Sequence, residues 1–524
     1  MENKRVRLRF APSPTGGLHM GGVRTALFSY LFAKKHKGDF ILRIEDTDQT
    51  RYVKGAEEYI ISALKWCGIE PNEGVGFGDG PHAPYRQSER KEKGIYKAYA
   101  QKLIDSGHAY YAFDTSEELD AMRKRLEAAK VIAPQYNAVT RQNMRNSITL
   151  SEDDVKKLMD AKTPYVIRLK VPRNEEIRFH DIIRGWVVVN STQVDDKVLL
   201  KSDGMPTYHL AHIVDDIEME ISHAVRGEEW LPSAPSHVLI YRYLGLEDKM
   251  PLFAHLPLIL KPDGNGKLSK RDKSGIPMFP LDWLDESTGE KYTGYRESGF
   301  FPEAFINMLG MLGWNPGTTQ EIFSKDELID AFSFERVNKS GAKFDPEKTK
   351  WFNQQYLRKK SDVELAKLFQ PILEEKLKAA NITNTKSEKF VEEVCKLVKE
   401  KAHFVNEFWE SAHYFFIAPT TYDNEVIKKR WNEKTAAFIS ATAETYEKVS
   451  TFTATEAEAL FKNLAEAQGI TTGQVMQLFR VCISGVGGGP ALFEMVALLG
   501  KEEVVKRLKK AVNSITNSVE LSNS

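Results

Sequence analysis

Apolar positions in the first part of the chain form short strand-like runs that alternate with helical stripes. Val6 to Phe10 and Phe40 to Ile44 are short runs bounded by polar residues, which predicts strands. Gly22 to Lys35 and Gly55 to Trp66 carry apolar residues three and four apart, which predicts amphipathic helices. A strand–helix–strand–helix order favours a parallel, doubly wound sheet. We therefore predict an α/β fold for this part of the chain.

The pattern changes twice further along the chain. From about Tyr110 to Asp195 a charged helical stretch precedes short strand-like runs, which predicts an α+β insertion into the sheet domain. After about Phe301 apolar residues recur every three or four positions, which predicts helices. We expect five segments: 1–109 and 196–260 as two halves of the α/β domain, 110–195 as the insertion, 261–345 as a loop with helices, and 346–524 as an all-helical region.

The composition is that of a globular protein and argues against membrane-spanning and disulfide-rich classes. The 524 residues are 42% apolar and 28% charged, which is typical of globular domains. We find no apolar run long enough for a transmembrane helix, and the N-terminus is too polar for a secretory signal. We therefore expect a cytoplasmic protein without membrane contact. Three cysteines with no CxxC pair argue against a disulfide framework and against a thiolate zinc site.

Basic and acidic residues balance at 73 each, so a nucleic-acid surface would have to be local. The stretch from Val337 to Lys360 is such a candidate, with seven basic residues against two acidic ones. The residues alone favour the simpler interpretation, a solvated helix face with core aromatics. Its basic residues are Lys339, Lys343, Lys348, Lys350, Arg358, Lys359 and Lys360.

The loop from Pro12 to Gly22 joins the first predicted strand to the first helix and is a candidate phosphate site. Ligands bind at the carboxyl ends of strands in such sheets. A helix N-terminus offers free N–H groups and partial positive charge to phosphate. Gly21 and Gly22 permit close approach of a nucleotide, and His19 can donate to a phosphate oxygen. The loop alone is weak support, because both common glycine-rich nucleotide motifs are absent.

A second loop, GKLSKR from Gly266 to Arg271, adds cations. Lys267, Lys270 and Arg271 are suited to close over a triphosphate and to neutralise charge that develops in a transition state. Taken by itself, this segment would by default be interpreted as a solvent-exposed basic turn.

Together the two loops resemble the HIGH and KMSKS signatures of class I aminoacyl-tRNA synthetases. They read HMGG from His19 and KLSKR from Lys267. The segments RFAPSPTGGLHMGG, FILRIEDTDQTRY, HAPYRQSER, LLKSDGMPTYHLA, VRGEEWLPS and LFEMVALLGKE are similar to those of bacterial glutamyl-tRNA synthetases. The resemblance runs from about Arg9 to Leu508. It implies a Rossmann-like catalytic domain with an inserted domain for the tRNA acceptor end, followed by an all-helical anticodon-binding half.

The resemblance also implies roles for individual residues. His19 and Lys270 would be catalytic, because they stabilise charge during the reaction. Arg226 would face the substrate's side-chain carboxylate, which arginine pairs with bidentately, and Glu45 would receive the substrate amino group. The implied ATP-binding residues are Pro12, His19, Gly21, Gly22, Lys267, Ser269, Lys270 and Arg271. The implied glutamate-binding residues are Arg9, Ser13, Glu45, Tyr208, Arg226 and Trp230.

In this family ATP activates L-glutamate as an adenylate, and the acyl group then moves to the terminal 2′-OH of tRNA(Glu). The resemblance implies Mg²⁺ held chiefly by ATP phosphates. We expect no zinc, because the ligands of the cluster that some relatives carry are missing, and we expect a monomer. The resemblance turns the basic stretch into a candidate tRNA contact, with Lys401 standing where many relatives carry arginine. The implied tRNA-binding residues are Lys339, Lys343, Lys350, Arg358 and Lys401.

Alternatives remain at this stage. Nothing in the sequence excludes a non-discriminating form that also charges tRNA(Gln). Arg226 argues against a glutaminyl enzyme, and intact His19 and Lys267 argue against an inactive RNA-binding paralogue. The stretch from Ile276 to Tyr295 is longer than the family pattern, and the sequence offers no physical account of it.

Overall fold

The structure, a computed structural model, describes residues 5–269 and 277–523, with the side chains of the last helix described as far as residue 518. The chain divides into two compact units, Met1–Thr349 and Lys350–Ser524. The strands all lie in the first unit. They are β1 Arg7–Phe10, β2 Asp39–Leu42, β3 Glu73–Gly74, β4 Ala109–Ala112, β5 Val166–Leu169, β6 Glu176–Asp181, β7 Gly185–Asn190, β8 Val198–Leu200, β9 His223–Gly227, β10 Leu252–Leu256, β11 Ile259–Leu260, β12 Trp283–Asp285, β13 Glu290–Tyr292 and β14 Ala342–Lys343.

Helices accompany these strands along the first unit. They are α1 Met20–Lys35, α2 Ala56–Trp66, α3 Gln87–Glu92, α4 Ile95–Asp105, α5 Ser116–Ala128, α6 Glu152–Asp160, α7 Tyr208–Glu218, α8 Ala234–Tyr243, α9 Pro302–Met311, α10 Lys325–Ala331 and α11 Pro346–Lys359, the last of which spans the boundary between the units.

A seven-stranded sheet in the order β3-β2-β1-β9-β10-β6-β7 organises the first unit. All neighbouring strands are parallel except β6 and β7. The predicted α/β class with a parallel sheet is therefore confirmed. Alternation along β1 explains why both faces are covered. Phe10 faces Gly22 of α1, whereas Arg9 points to the other face and pairs with Asp216 of α7.

The predicted insertion, residues 110–195, is divided between two sheets. Strands β4 and β5 form a small antiparallel sheet with β8, which lies beyond residue 195. Strands β6 and β7 instead extend the large sheet beside β10. The alternation along β6 suits this position. Ile177 and Phe179 are buried in the core beneath α8, whereas the residues next to them are exposed.

The second unit is helical. A serine, threonine or aspartate caps several of these helices, and Ser361 with Glu364 forms a capping box at the start of α12. No described helix is long and apolar enough to cross a membrane. The helices are α12 Asp362–Ala379, α13 Glu388–Val398, α14 Phe408–Phe416, α15 Asn424–Arg430, α16 Glu433–Glu447, α17 Ala454–Ala467, α18 Thr472–Ser484, α19 Leu492–Leu499 and α20 Lys501–Asn523.

Candidate active site

A cavity of about 660 Å³ lies in the first unit, where β1, β9 and β10 end. Every predicted glutamate-binding residue lines it, and so do the predicted ATP-binding residues that the structure describes. Lys270 and Arg271 lie outside the described residues. Segments that are far apart in sequence thus surround one cavity, at the sheet edge where α/β folds bind ligands.

His19 closes the N-terminus of α1. Its Nδ1 accepts hydrogen bonds from the N–H groups of Gly21 at 3.1 Å and Gly22 at 3.4 Å. The proton of a neutral ring is therefore on Nε2, which can donate into the cavity. Desolvation, with a smaller effect of the Lys267 ammonium, lowers the pKa of His19 below its ordinary value, which favours that neutral form.

The start of α1 differs from the sequence expectation in one respect. The Met20 N–H donates to the Met278 carbonyl, and those of Gly21 and Gly22 are directed at His19. The N–H groups that we expected to be free for phosphate are already hydrogen-bonded. The two glycines serve packing instead, because a Cβ at Gly22 would lie 2.5 Å from Leu18 Cδ1 and one at Gly21 would lie 3.0 Å from the His19 ring.

Lys267 reaches across the cavity to Glu229. Its Nζ lies 2.9 Å from Glu229 Oε1, and both side chains are about half exposed. Ser269 also lines the cavity. Lys267, the first cation of the KLSKR segment, therefore lies beside the loop that carries His19.

Arg226 is a buried cation at the floor of the cavity. Its Nη1 donates to the Tyr208 hydroxyl at 2.6 Å, and its Nη2 donates to His237 Nδ1 at 3.2 Å. Among residues 5–269 and 277–518 no carboxylate forms an ion pair with it, and its Nε lacks a hydrogen-bond partner there. Trp230 packs on Tyr208 and is 42% exposed, so it forms an outer wall. A buried guanidinium without a carboxylate favours an anionic ligand.

Arg9 has a different environment from Arg226. It donates to Asp216 through Nε at 3.0 Å and Nη2 at 3.1 Å, and to the Val225 carbonyl. Asp216 also accepts from Arg43 at 2.8 Å. Most N–H groups of Arg9 are thus used within the protein. Arg9 can therefore contact glutamate, as predicted, only through the guanidinium N–H groups that are not already hydrogen-bonded.

Glu45 lies opposite these arginines as a buried anion. Its Oε1 accepts from Arg43 at 3.0 Å and contacts His212 Nδ1 at 2.9 Å. Burial alone would raise the pKa of Glu45, but His212, Arg43 and Arg9 outweigh it and bring the pKa to about 2. Burial lowers the pKa of His212 to about 4 despite its acidic neighbours. Near neutral pH the cavity therefore presents the Glu45 carboxylate and the Arg226 guanidinium among its charged groups, which suits an amino acid with a second carboxylate.

Sequence reasoning missed His212, Asp216 and His237. The first two are four residues apart and lie on one face of α7, so the spacing HxxxD offered a usable signal. His237 lies on α8, fully buried, and nothing in its local sequence points to Arg226.

We predict that His237 positions Arg226. His237→Ala should raise the KM for glutamate, the substrate that the resemblance implies, about 10- to 100-fold, the range expected when a hydrogen bond to a charged group is lost. His237→Asn should stay within about fivefold of the wild type, because its oxygen replaces Nδ1 as acceptor. The KM for ATP should change little in both variants. Steady-state charging kinetics, with melting temperatures as a folding check, test this prediction. Equal losses in the alanine and asparagine variants would contradict it.

The predicted tRNA-binding residues are exposed, but several already have partners. Arg358 contacts the backbone and carboxylate of Glu400, and Lys401 Nζ donates to the Gly489 carbonyl at 2.9 Å. Lys343 lies on β14, and Lys339 and Lys350 are exposed. Of the aromatics between them, Phe352 and Tyr356 are buried, as the simpler interpretation predicted.

Two family models match the chain, and the first of them gives the class of protein. Residues 5–351 match the family model "tRNA synthetases class I (E and Q), catalytic domain", and residues 364–512 match "Anticodon binding domain". The sheet, the His19 loop and the cavity are thus those of a class I tRNA synthetase.

Relatives that match over nearly the full chain show which family of this class the protein belongs to. The glutamate–tRNA ligase of Cytophaga hutchinsonii is 54% identical over 99% of both chains. That of Porphyromonas gingivalis is 53% identical over 98% of this chain and 99% of its own. The crystal structure of a glutamate tRNA ligase from Elizabethkingia meningosepticum, in complex with its amino acid, superposes with a TM-score of 0.91 at 49% identity, over 98% of this chain and 100% of that one. The chain belongs to the glutamate–tRNA ligase family.

Proposed function

We propose that this protein activates L-glutamate with ATP and joins it to tRNA(Glu). The observation that carries the proposal is Arg226, a buried cation that faces the cavity without a carboxylate partner among the described residues. Glutamate would supply that carboxylate, and its ammonium group would meet the Glu45 carboxylate. Glutamine lacks the charge that Arg226 needs, so the site selects the acid over the amide.

The reaction then needs ATP beside the amino acid. The glutamate α-carboxylate attacks the α-phosphate, the bond to the β-phosphate breaks, and pyrophosphate leaves. His19 Nε2–H and the Lys267 ammonium are placed to stabilise the charge that develops on the phosphates. Lys270 is proposed for the same role, and Arg271 as a further contact, on the resemblance alone. Ser13, Pro12, Ser269 and the two glycines of α1 complete the walls.

The second step transfers the glutamyl group to the terminal 2′-OH of tRNA(Glu), with AMP as the leaving group. Lys339, Lys343, Lys350, Arg358 and Lys401 are proposed as phosphate contacts, for which their exposure is the support. Mg²⁺ would arrive with the triphosphate, because phosphate and water oxygens are the ligands that it prefers. We expect a monomer that works in the cytoplasm, where these substrates are found.

Charging of purified tRNA(Glu) and tRNA(Gln) transcripts, each with labelled glutamate and labelled glutamine, tests the proposal. We expect glutamate on tRNA(Glu) and at least 10²-fold slower use of glutamine with either tRNA, since an unpaired buried charge costs about 3 kcal/mol or more. Glutamate on both tRNAs would establish the non-discriminating form instead. No charging of tRNA(Glu) would overturn the proposal.

A further inference from the structure

The segment from residue 277 to residue 295 lies in the stretch that the sequence predicts to be longer than the family pattern. It packs directly on the loop from Pro12 to Gly22, which we call the ATP loop. The Met278 carbonyl accepts from the N–H of Met20, the first residue of α1, at 2.8 Å. Met278, Phe279 and Trp283 line the same cavity as His19 and Lys267. The segment is thus a wall of the nucleotide site.

Trp283 lies against the backbone of Gly17. A Cβ built at Gly17 would lie 2.7 Å from indole Cγ and Cδ2 and 3.1 Å from the Phe279 ring. These distances are below ordinary van der Waals contact, so only glycine lets the loop and the indole approach so closely. Trp283 is 9% exposed, and its burial here removes a large apolar area from water.

Tyr59 of α2 and the hairpin of β12 and β13 also contact or pair with Trp283 and its neighbours. The Tyr59 hydroxyl donates to the Leu281 carbonyl at 2.6 Å and accepts from the Leu281 N–H at 3.2 Å. The Tyr59 ring meets the indole nearly edge-on, with centroids 5.0 Å apart. Strands β12 and β13 form an antiparallel hairpin that pairs Trp283 with Tyr292. Its position is therefore fixed by α2 and by the hairpin, independently of the ATP loop.

Gly17 is two residues from His19, whose ring must point into the cavity. Because the indole fixes one end of this short segment and Met278 fixes the other at Met20, the backbone between them is fixed from both sides. We propose that Trp283 is a positioning residue for ATP, acting through the Gly17–His19 loop. This inference rests on the proposed function, since it assigns ATP to this loop.

The test compares Trp283→Ala and Trp283→Phe with Leu284→Ala, a matched change in the same hairpin at a side chain that is 52% exposed. ATP affinity is measured by calorimetry, and ATP–pyrophosphate exchange is measured with tRNA present. We expect Trp283→Ala to lower kcat/KM for ATP about 10- to 100-fold, as small misplacements of reacting groups do. Its KM for glutamate should stay within about threefold, because Arg226 and Tyr208 do not touch the hairpin. Phenylalanine should restore part of the loss.

A double-mutant cycle isolates the contact itself. Gly17→Ala should weaken ATP use by itself, whereas it should add less in the Trp283→Ala background, where the indole is gone and only the Phe279 ring remains close to the new Cβ. Independent, multiplying losses would overturn the proposal, as would wild-type ATP affinity in Trp283→Ala. A wild type that binds ATP but charges no tRNA would refute the proposed function alone, and the calorimetry would still decide on Trp283.

Discussion

Arg226→Gln is expected to lower kcat/KM for glutamate about 10³-fold, which corresponds to about 4 kcal/mol at 1.36 kcal/mol per tenfold change. The reason is that glutamine at this position cannot supply the charge or the planar fork that a carboxylate requires. Arg226→Lys should be intermediate, because it keeps the charge and loses the fork. The KM for ATP should stay within about threefold, since the ATP loop does not contact Arg226.

Steady-state charging with glutamate and ATP varied separately measures this effect. The matched control is Arg178→Gln on β6, where the side chain is 65% exposed and pairs only with Glu176 within the described part of the chain. That variant should behave like the wild type. Comparable losses for glutamate and ATP in Arg226→Gln would mean that the change disturbs the fold and not the recognition of glutamate.

Asp216→Asn is expected to reduce the free energy of unfolding of the first unit by about 3–5 kcal/mol, the cost of breaking a buried ion pair from one side. The carboxylate is buried between Arg9 and Arg43, so its loss leaves two guanidinium groups under-compensated. Urea unfolding monitored by circular dichroism measures the change. Asp120→Asn, the same substitution in an exposed pair with Arg123, serves as control and should change little.

The contribution of Asp216 to the free energy of unfolding should also depend on pH and should fall on acidification. Burial would raise the pKa of Asp216, but Arg9, His212 and Arg43 hold it well below the ordinary 3.8. A carboxyl group whose pKa is depressed by folding stabilises fully above that value and loses its contribution as the pH falls below it. The difference between wild type and Asp216→Asn should therefore be constant from neutral pH to about 4 and shrink below. A difference that grows on acidification would contradict this account.

Local patterns predicted the elements that carry the site. The predicted helix from Gly22 to Lys35 is α1 with two further residues at its start, and the strand before it is one residue shorter than predicted. Such elements follow from spacing along the chain, which the sequence displays directly. The motifs also identified residues that the structure places around one cavity, although their individual roles stay predictions.

What escaped prediction depends on contacts between distant segments. The ribbon of β6 and β7 reads as part of an insertion, yet it pairs with β10 of the large sheet. The contact of His237 with Arg226, and that of Trp283 with Gly17, join segments with no shared pattern. The hydrogen bonds at the start of α1 likewise depend on Met278, more than 250 positions away. Strand pairing and tertiary contacts of this kind are not encoded in local periodicity.

The ion pair between Lys267 and Glu229 means that an anionic ligand of the cavity must compete with Glu229 for the lysine. Because both side chains are about half exposed, the pair contributes at most about 1 kcal/mol and separates readily. A ligand with more negative charge than one carboxylate therefore competes for Lys267 better than a ligand with a single charge. A triphosphate does so, whereas adenosine does not and a single small anion competes poorly. Glu229 thus weakly favours a polyanion such as a triphosphate over a monovalent anion as the group that draws Lys267 away.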